Sequence, residues 1–143
     1  MHEDTRLAQL RHFFETISPA SVGTIGTVYA PDAYFKDPFN EVCGAPAIEK
    51  IFSRMFAQVV DPRFVIHDAV MQGEQGFVTW DFHFRMRRWR RGPQTIRGAT
   101  HLRFAPDGRI VYHRDYWDAA EELYEKLPAV GVLLRLLRRQ AAH

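Results

Sequence analysis

Apolar residues in the first half of the chain recur mainly at helical spacing. Residues 4–17 predict a first helix, and Ser18 followed by Pro19 is typical of the start of a second, shorter one. The stretch 33–37 alternates and predicts a strand, which Pro38 ends. A third helix is then predicted, and Asp61-Pro62 should end it. Its apolar positions have helical spacing: Ile48, Ile51, Phe52, Met55, Phe56 and Val59.

The second half of the chain changes to the period of a strand. Four consecutive strands are predicted, at residues 63–72, 77–87, 94–105 and 109–118, and helical spacing resumes at Ala119. The turns between these strands are short, which predicts antiparallel pairing. Helices should then lie together on one face of the sheet. The fold class is therefore α+β, and the 143 residues suit a single domain, 1–143.

Composition narrows the choice of partners. The chain is 46% hydrophobic and 25% charged, which is typical of a globular protein, and its net charge of +2 gives no reason to expect a nucleic-acid partner. The basic run Arg85–Arg91 around Trp89 could bind a nucleic-acid backbone, but the solvated end of a hairpin is the favoured interpretation. No apolar run approaches the ~20 residues of a membrane span. A polar start and the single Cys43 indicate a cytoplasmic protein.

Metal and cofactor signatures are missing from the sequence. Seven histidines are present, but no His-x-x-x-His or cysteine pair has ligand spacing, and no glycine-rich phosphate loop occurs. We therefore predict no metal and no cofactor. The tail from Leu123 to Arg139 has an apolar stripe and a basic end. It predicts a helix that closes the fold or pads a dimer, with a membrane-surface helix as the alternative.

Two segments carry a resemblance to a known superfamily. YAPDAYFKDPFNEVCGAPAIEKIFSRMF (29–56) and HLRFAPDGRIVYHRDYWDAAEELYEKL (101–127), with the order of elements, resemble the nuclear-transport-factor-two-like proteins, in their SnoaL-like and ketosteroid-isomerase-like branches. The resemblance implies a curved antiparallel sheet wrapped around the three N-terminal helices into a cone, plus a C-terminal helix. It also implies a deep apolar pocket and a homodimer formed through the sheet.

The resemblance places Asp37 where ketosteroid isomerases keep a general base, immediately before a proline. Their oxyanion-hole positions correspond here to Phe13 or Phe14 and to Thr100, which cannot reproduce the tyrosine and the protonated acid. Steroid isomerisation is therefore disfavoured. Limonene-epoxide-hydrolase-like chemistry is also disfavoured, because the chain contains no Arg-x-Asp.

The last strand supplies another polar set. If its face matches the family, His113, Asp115 and Trp117 point inward, and His113 and Asp115 join Asp37 as acid/base residues. The alternative is that Asp115 pairs with an arginine and His113 is a hydrogen-bonded core residue. The predicted substrate-binding residues are Phe52, Phe56, Trp80, Phe82, Thr100 and Trp117.

Two functions remain open at this point. One is an isomerase, cyclase or hydratase that acts on an apolar carbonyl-containing or ring-bearing molecule, and the other is a non-catalytic module that binds an apolar ligand or a protein. Burial beside Phe35 and Phe39, with Pro38 removing a backbone N–H, predicts a raised pKa for Asp37. The homodimer is expected to pair charged groups on the outer sheet face: Asp81, His83, Arg85, Arg97, His101 and Arg103.

Overall fold

A computed structural model describes residues 3–87 and 92–124. Its helices are α1 (Thr5–Glu15), α2 (Pro19–Val22) and α3 (Ala45–Gln58), with a 3-10 helix at Ile25–Thr27 and a π-helical turn at Ala120–Tyr124. The Asp4 side chain caps α1 by accepting from the Arg6 N–H at 2.8 Å. Ser18 and Ser21 cap α2 reciprocally. These caps satisfy amide donors that a helix start leaves unpaired.

Six strands form one curved, unclosed sheet. They are β1 (Tyr29–Lys36), β2 (Glu41–Cys43), β3 (Val59–Gln72), β4 (Gln75–Met86), β5 (Pro93–Phe104) and β6 (Ile110–Tyr116), in the spatial order β2-β1-β6-β5-β4-β3. The four long strands predicted from the alternation are all present and pair antiparallel in sequence order. The α+β class with three N-terminal helices is confirmed.

The pairing of β1 differs from the predicted all-antiparallel sheet. β1 runs parallel to β6, with Phe35 opposite His113 and Lys36 opposite Arg114. Parallel neighbours need a long connection between them, and here helix α3 and four strands intervene in the sequence. β1 also begins at Tyr29, before the strand predicted at 33–37, and Tyr29 pairs with Ile110 of β6.

The core lies between the helices and the inner face of the sheet. Leu10 and Phe14 of α1 and Ile48 and Phe52 of α3 are buried against inward side chains of five strands, which include Phe35, Ile66, Trp80, Ile96 and Leu102. These helices therefore pack on the face that carries Trp80, and not on the face that carries Phe77. No helix of the described residues covers the outer face of the sheet.

The ends of several elements differ from the sequence prediction. α3 ends at Gln58 and β3 begins at once, so Asp61-Pro62 lies inside the strand. Asp61 has a φ of 50°, and the β3–β4 register shifts between Val60 and Arg63, which shows that this pair forms a bulge rather than a helix stop. No helix of the described part is long and apolar enough to span a bilayer. Most of the predicted C-terminal helix and residues 88–91 of the basic run lie outside the described residues.

Candidate active site

A cavity of about 50 Å³, which we call the inner cavity, lies between the helices and the inner sheet face. Four aromatic rings line it: Phe14, Phe52, Phe64 and Trp80. Leu10, Ile66 and Val78 complete its apolar wall, and its polar lining consists of Thr100, His113 and Asp115. A water needs about 10–15 Å³, so the cavity admits a molecule of only a few heavy atoms without widening.

The polar lining forms one hydrogen-bonded chain across strands β4, β5 and β6 and into β1. The Trp80 indole N–H donates to Thr100 Oγ1 at 2.8 Å, and the Thr100 hydroxyl donates to Asp115 Oδ1 at 2.6 Å. His113 Nε2 lies 2.7 Å from the same Asp115 oxygen, and His113 Nδ1 lies 2.8 Å from the Tyr29 hydroxyl. We call these five side chains the polar chain: Tyr29, His113, Asp115, Thr100 and Trp80.

The chemistry of its members sets the direction of this chain. An indole N–H can only donate, so Thr100 accepts from Trp80 and its own proton goes to Asp115. An ionised carboxylate can only accept, so His113 Nε2 carries a proton. In the neutral imidazole Nδ1 is then an acceptor, and it takes the hydrogen bond of the Tyr29 hydroxyl. The partners thus assign a single tautomer to His113.

Buried aromatic surroundings hold the imidazole in place. His113 is 4% exposed and its ring centroid lies 4.5 Å from Phe35, with Phe14 at 6.2 Å. Tyr29 is fully buried, and desolvation, with a smaller contribution from the Asp115 charge, raises the pKa of its phenol well above its ordinary value. Tyr29 therefore keeps its proton and remains a hydrogen-bond donor near neutral pH.

Asp37 lies beside this chain rather than within it. The parallel register of β1 and β6 places it one residue beyond the Lys36–Arg114 pair, at the level of Asp115. Its Oδ1 accepts from the N–H groups of Phe39 and Asn40 at 2.8 and 2.7 Å, and both of its oxygens accept from Asn40 Nδ2. The residue therefore closes a tight turn between β1 and β2.

The pKa of Asp37 is raised, as the sequence predicts. Burial is the largest cause, and the Asp115 charge adds to it, whereas the hydrogen bonds from Phe39 and Asn40 lower the pKa. Pro38 was predicted to leave the Asp37 carboxylate without a nearby backbone donor. That prediction is wrong, because the N–H groups of Phe39 and Asn40 both donate to the carboxylate.

Five predicted site residues line the inner cavity: Phe52, Trp80, Thr100, His113 and Asp115. Asp37, Phe56, Phe82 and Trp117 do not line it. Phe82 stacks on Phe64 with ring centroids 4.6 Å apart, and Trp117 meets the exposed ring of Phe39 edge-on at 5.6 Å. No group of three or more histidine, cysteine, aspartate or glutamate side chains within 3–87 and 92–124 is arranged to hold a metal ion.

Sequence reasoning missed two residues of the site. Tyr29 was not identified as a site residue, since nothing in the local pattern shows that its hydroxyl meets a histidine 84 positions away. Phe64 was assigned to a strand, and its alternation with Ile66 could have placed both on the cavity wall.

The outer sheet face carries the charged residues expected at a dimer interface, and several have partners within the chain. Asp81 pairs with His67 at 3.0 Å, and His83 hydrogen-bonds Thr95 at 2.8 Å. At the other end of this face a hollow of about 380 Å³ is bordered by three exposed apolar side chains, Val70, Phe77 and Tyr116. We call it the outer hollow.

A curved, unclosed sheet wrapped over N-terminal helices, with an inner cavity between them, defines the cone fold of nuclear-transport-factor-two-like proteins. Within that class the chain belongs to the SnoaL-like family, because the sequence profile of the SnoaL-like domain matches residues 10–113. Comparison with curated proteins found no match.

Solved structures with the same fold are numerous and distant in sequence. A candidate SnoaL-like polyketide cyclase from Shewanella putrefaciens CN-32 superposes with a TM-score of 0.74 at 17% identity, covering 90% of this chain and 99% of its own. A ketosteroid-isomerase-like protein from Catenulispora acidiphila, in complex with trimethylamine, gives 0.73 at 18%, with 85% and 92% covered. An epoxide hydrolase of M. tuberculosis, similar to limonene epoxide hydrolase, gives 0.69 at 17%, with 92% and 95% covered.

Proposed function

We propose that this protein is a small-molecule enzyme that moves a proton within a substrate held in the inner cavity. The reaction class is isomerisation, cyclisation or hydration of an apolar ring-bearing or carbonyl-containing molecule. One observation carries the proposal: a histidine and a carboxylate, hydrogen-bonded at 2.7 Å, face an otherwise apolar cavity. Buried polar groups in such a cavity are candidates for acid–base chemistry.

Asp115 is the proposed base. Its Oδ1 is fixed by the hydroxyl of Thr100 and by Nε2–H of His113, which holds the carboxylate in one orientation. In the proposed reaction the substrate's C–H proton passes to Oδ2 and is returned from there to another atom of the same substrate. His113 orients the carboxylate and Tyr29 holds the imidazole, so both are positioning residues.

Asp37 is proposed as a second acid–base carboxylate beside Asp115. Its raised pKa favours the protonated form more than an exposed aspartate does, which suits a group that gives a proton back. Because its hydrogen bonds hold it in the β1–β2 turn, it would reach a substrate only at the edge of the inner cavity.

The test measures hydrogen–deuterium exchange at carbon in D₂O by proton NMR, with a panel of cyclic ketones, 1,3-diketones and amino ketones. The wild type is expected to accelerate exchange of at least one compound. Asp115→Asn should lower that rate by about 10²–10⁴-fold, the usual contribution of a general base. Asp32→Asn is the control, because Asp32 is an exposed carboxylate on β1.

The outcome separates the two carboxylates. Loss of exchange in Asp37→Asn, with full activity in Asp115→Asn, would assign the base to Asp37. Unchanged exchange in both variants, or no exchange with any compound, would contradict the proposal.

A non-catalytic binding module is the second candidate, and one observation favours it. Every side-chain N–H and O–H on the described wall of the inner cavity already donates within the polar chain. A wall without free donors stabilises no developing oxyanion. A ligand that binds equally to wild type and Asp115→Asn, with no exchange in either, would support this module.

We also propose that the protein forms a homodimer through the outer face of the sheet. Val70, Phe77 and Tyr116 are 61%, 44% and 49% exposed and lie together around the outer hollow. Their pairing across a two-fold axis would remove apolar surface from water.

Residues 1–143 are proposed to act as a single cytoplasmic domain. Cys43 is exposed and free, which is compatible with a reducing compartment.

A further inference from the structure

The described wall of the inner cavity offers acceptors and no free side-chain donors. Only Trp80, Thr100 and His113 among the lining residues carry side-chain N–H or O–H groups. Trp80 donates to Thr100, and Thr100 and His113 both donate to Asp115 Oδ1. His113 Nδ1 is occupied by Tyr29. A ligand in the inner cavity therefore finds no described side-chain N–H or O–H group that is free to donate a hydrogen bond to it.

One acceptor atom on this wall is left open. Both hydrogen bonds that Asp115 accepts, from Thr100 and His113, use Oδ1, and Oδ2 has no hydrogen-bond partner among the described residues. No buried side-chain oxygen or nitrogen of the described chain lacks a partner, so the unpartnered Oδ2 retains some solvent-accessible surface. The Asp115 side chain is 16% exposed, so its negative charge is only partly hydrated.

The rest of the lining favours positive charge as well. Phe14, Phe52, Phe64 and Trp80 present aromatic rings, whose faces are electrostatically negative and attract cations. Neither lysine nor arginine is among the described lining residues, and His113, which pairs with Asp115 Oδ1 at 2.7 Å, neutralises that carboxylate only when the imidazole is protonated. Asp37, which does not line the cavity, is a second carboxylate outside it at the level of Asp115.

We infer that the small molecule bound in the inner cavity carries a positively charged nitrogen, which lies between the aromatic rings and Asp115 Oδ2. The inference rests on the proposed function in one respect, that this cavity is the ligand site. It then specifies the substrate class as a small alkylamine, or a small compound with a cationic nitrogen beside its reacting carbon. Such a substrate supplies the positive charge that an enolate would otherwise require from the wall.

A matched pair of probes tests the charge separately from the shape. tert-Butylammonium and tert-butanol have the same size and each has a donor, but only the first is cationic at pH 7.5. Their affinities are measured by NMR titration of the Trp80 indole N–H resonance in the wild type. We expect the ammonium to bind at least tenfold more tightly, at millimolar concentration as suits so few heavy atoms.

Two variants locate the source of that preference. Asp115→Asn should reduce the ratio of the two affinities to within about twofold, whereas Asp32→Asn should leave it unchanged. Phe64→Leu should weaken ammonium binding severalfold and leave tert-butanol binding nearly constant, and this variant removes none of the hydrogen bonds of the polar chain, although Phe64 meets the Trp80 ring edge-on at 6.2 Å. It therefore tests the inference even where Asp115→Asn fails to fold.

The failures are distinguishable. Equal binding of the two probes in the wild type overturns the cationic ligand and leaves the inner cavity as a ligand site. If neither probe moves the Trp80 resonance, the cavity is not the ligand site, and the proposed function fails with the inference.

Discussion

Thr100 and His113 are the buried polar side chains of the described core, and both belong to the polar chain. Their burial is tolerated because every side-chain N–H and O–H of the polar chain has an acceptor, from the Trp80 indole to the Tyr29 phenol. Removing one member leaves its neighbour unsatisfied in a low-dielectric interior, which costs more than the lost hydrogen bond itself contributes.

Tyr29→Phe should lower the free energy of unfolding by about 1–3 kcal/mol, because His113 Nδ1 would lose its donor while remaining buried. Urea denaturation measures the change. Tyr34→Phe is the matched control, since the Tyr34 hydroxyl contacts Glu41 at 3.1 Å on an exposed edge and its loss should cost under about 0.5 kcal/mol. Equal costs for the two variants would show that the buried bond does not matter.

Asp37 should make stability depend on pH in a defined direction. Because its folded-state pKa is raised, the folded protein holds this proton more tightly than the unfolded chain does. That contribution is present below the unfolded pKa of about 3.9 and is lost as pH rises through the folded value. Asp37→Asn resembles the protonated form at every pH.

The wild type should therefore lose stability relative to Asp37→Asn as pH rises from about 3.9, the unfolded value, through the raised folded-state pKa of Asp37. Urea denaturation of both proteins across this range gives the difference, and Asp32→Asn controls for the change in net charge. If the difference in stability between the wild type and Asp37→Asn does not change with pH, the raised pKa of Asp37 is contradicted.

At the scale of elements, the polar chain depends on how β4 and β5 pair. Trp80 lies opposite Gly98, and its indole ring covers the position where a Cβ of residue 98 would stand. The glycine thus gives the indole the space from which Nε1 reaches Thr100, two residues further along β5.

Gly98→Ala should destabilise the protein by about 1–3 kcal/mol, because the added methyl overlaps the Trp80 ring and forces it to move. Near-UV circular dichroism should change with it. Gly26→Ala is the control, since a Cβ there meets nothing within 4 Å and should change stability by under about 0.5 kcal/mol. A Gly98→Ala variant with wild-type stability and spectrum would show that the indole is not held against residue 98.

For the whole molecule, the sheet divides the chain into two surfaces with different roles. The helices cover the inner face and enclose the inner cavity, while the outer face keeps Val70, Phe77 and Tyr116 exposed. Apolar groups gathered on one face of a protein usually mark an interaction surface.

Sedimentation velocity at micromolar concentration should give the mass of a dimer for the wild type and that of one chain for Phe77→Glu, because a charge would be buried at the centre of the interface. Ala57→Glu places the same charge on the exposed side of α3 and should leave the dimer intact. A wild type that sediments as one chain contradicts the homodimer.

The sequence by itself determined the elements whose periodicity is strong. β-rich composition, short turns and the alternation in 77–87 and 94–105 were sufficient to identify β3 to β6, and the alternation placed Trp80 and Phe82 on one face, because burial of one sheet face imposes period two. Helical spacing likewise identified α1 and α3. The two-residue period of a strand also placed His113 and Asp115 on a common face of β6.

Only the tertiary structure decided what those faces meet. The parallel pairing of β1 with β6 joins residues more than 70 positions apart, and it brings Tyr29 to His113 and Asp37 to the level of Asp115. No local pattern encodes such contacts, because they depend on the crossover of the whole intervening chain. Every donor of the polar chain finds an acceptor only because residues of four strands meet in the folded sheet. For that reason the sequence predicted an acid–base set, and only the packed sheet showed which carboxylate faces the cavity.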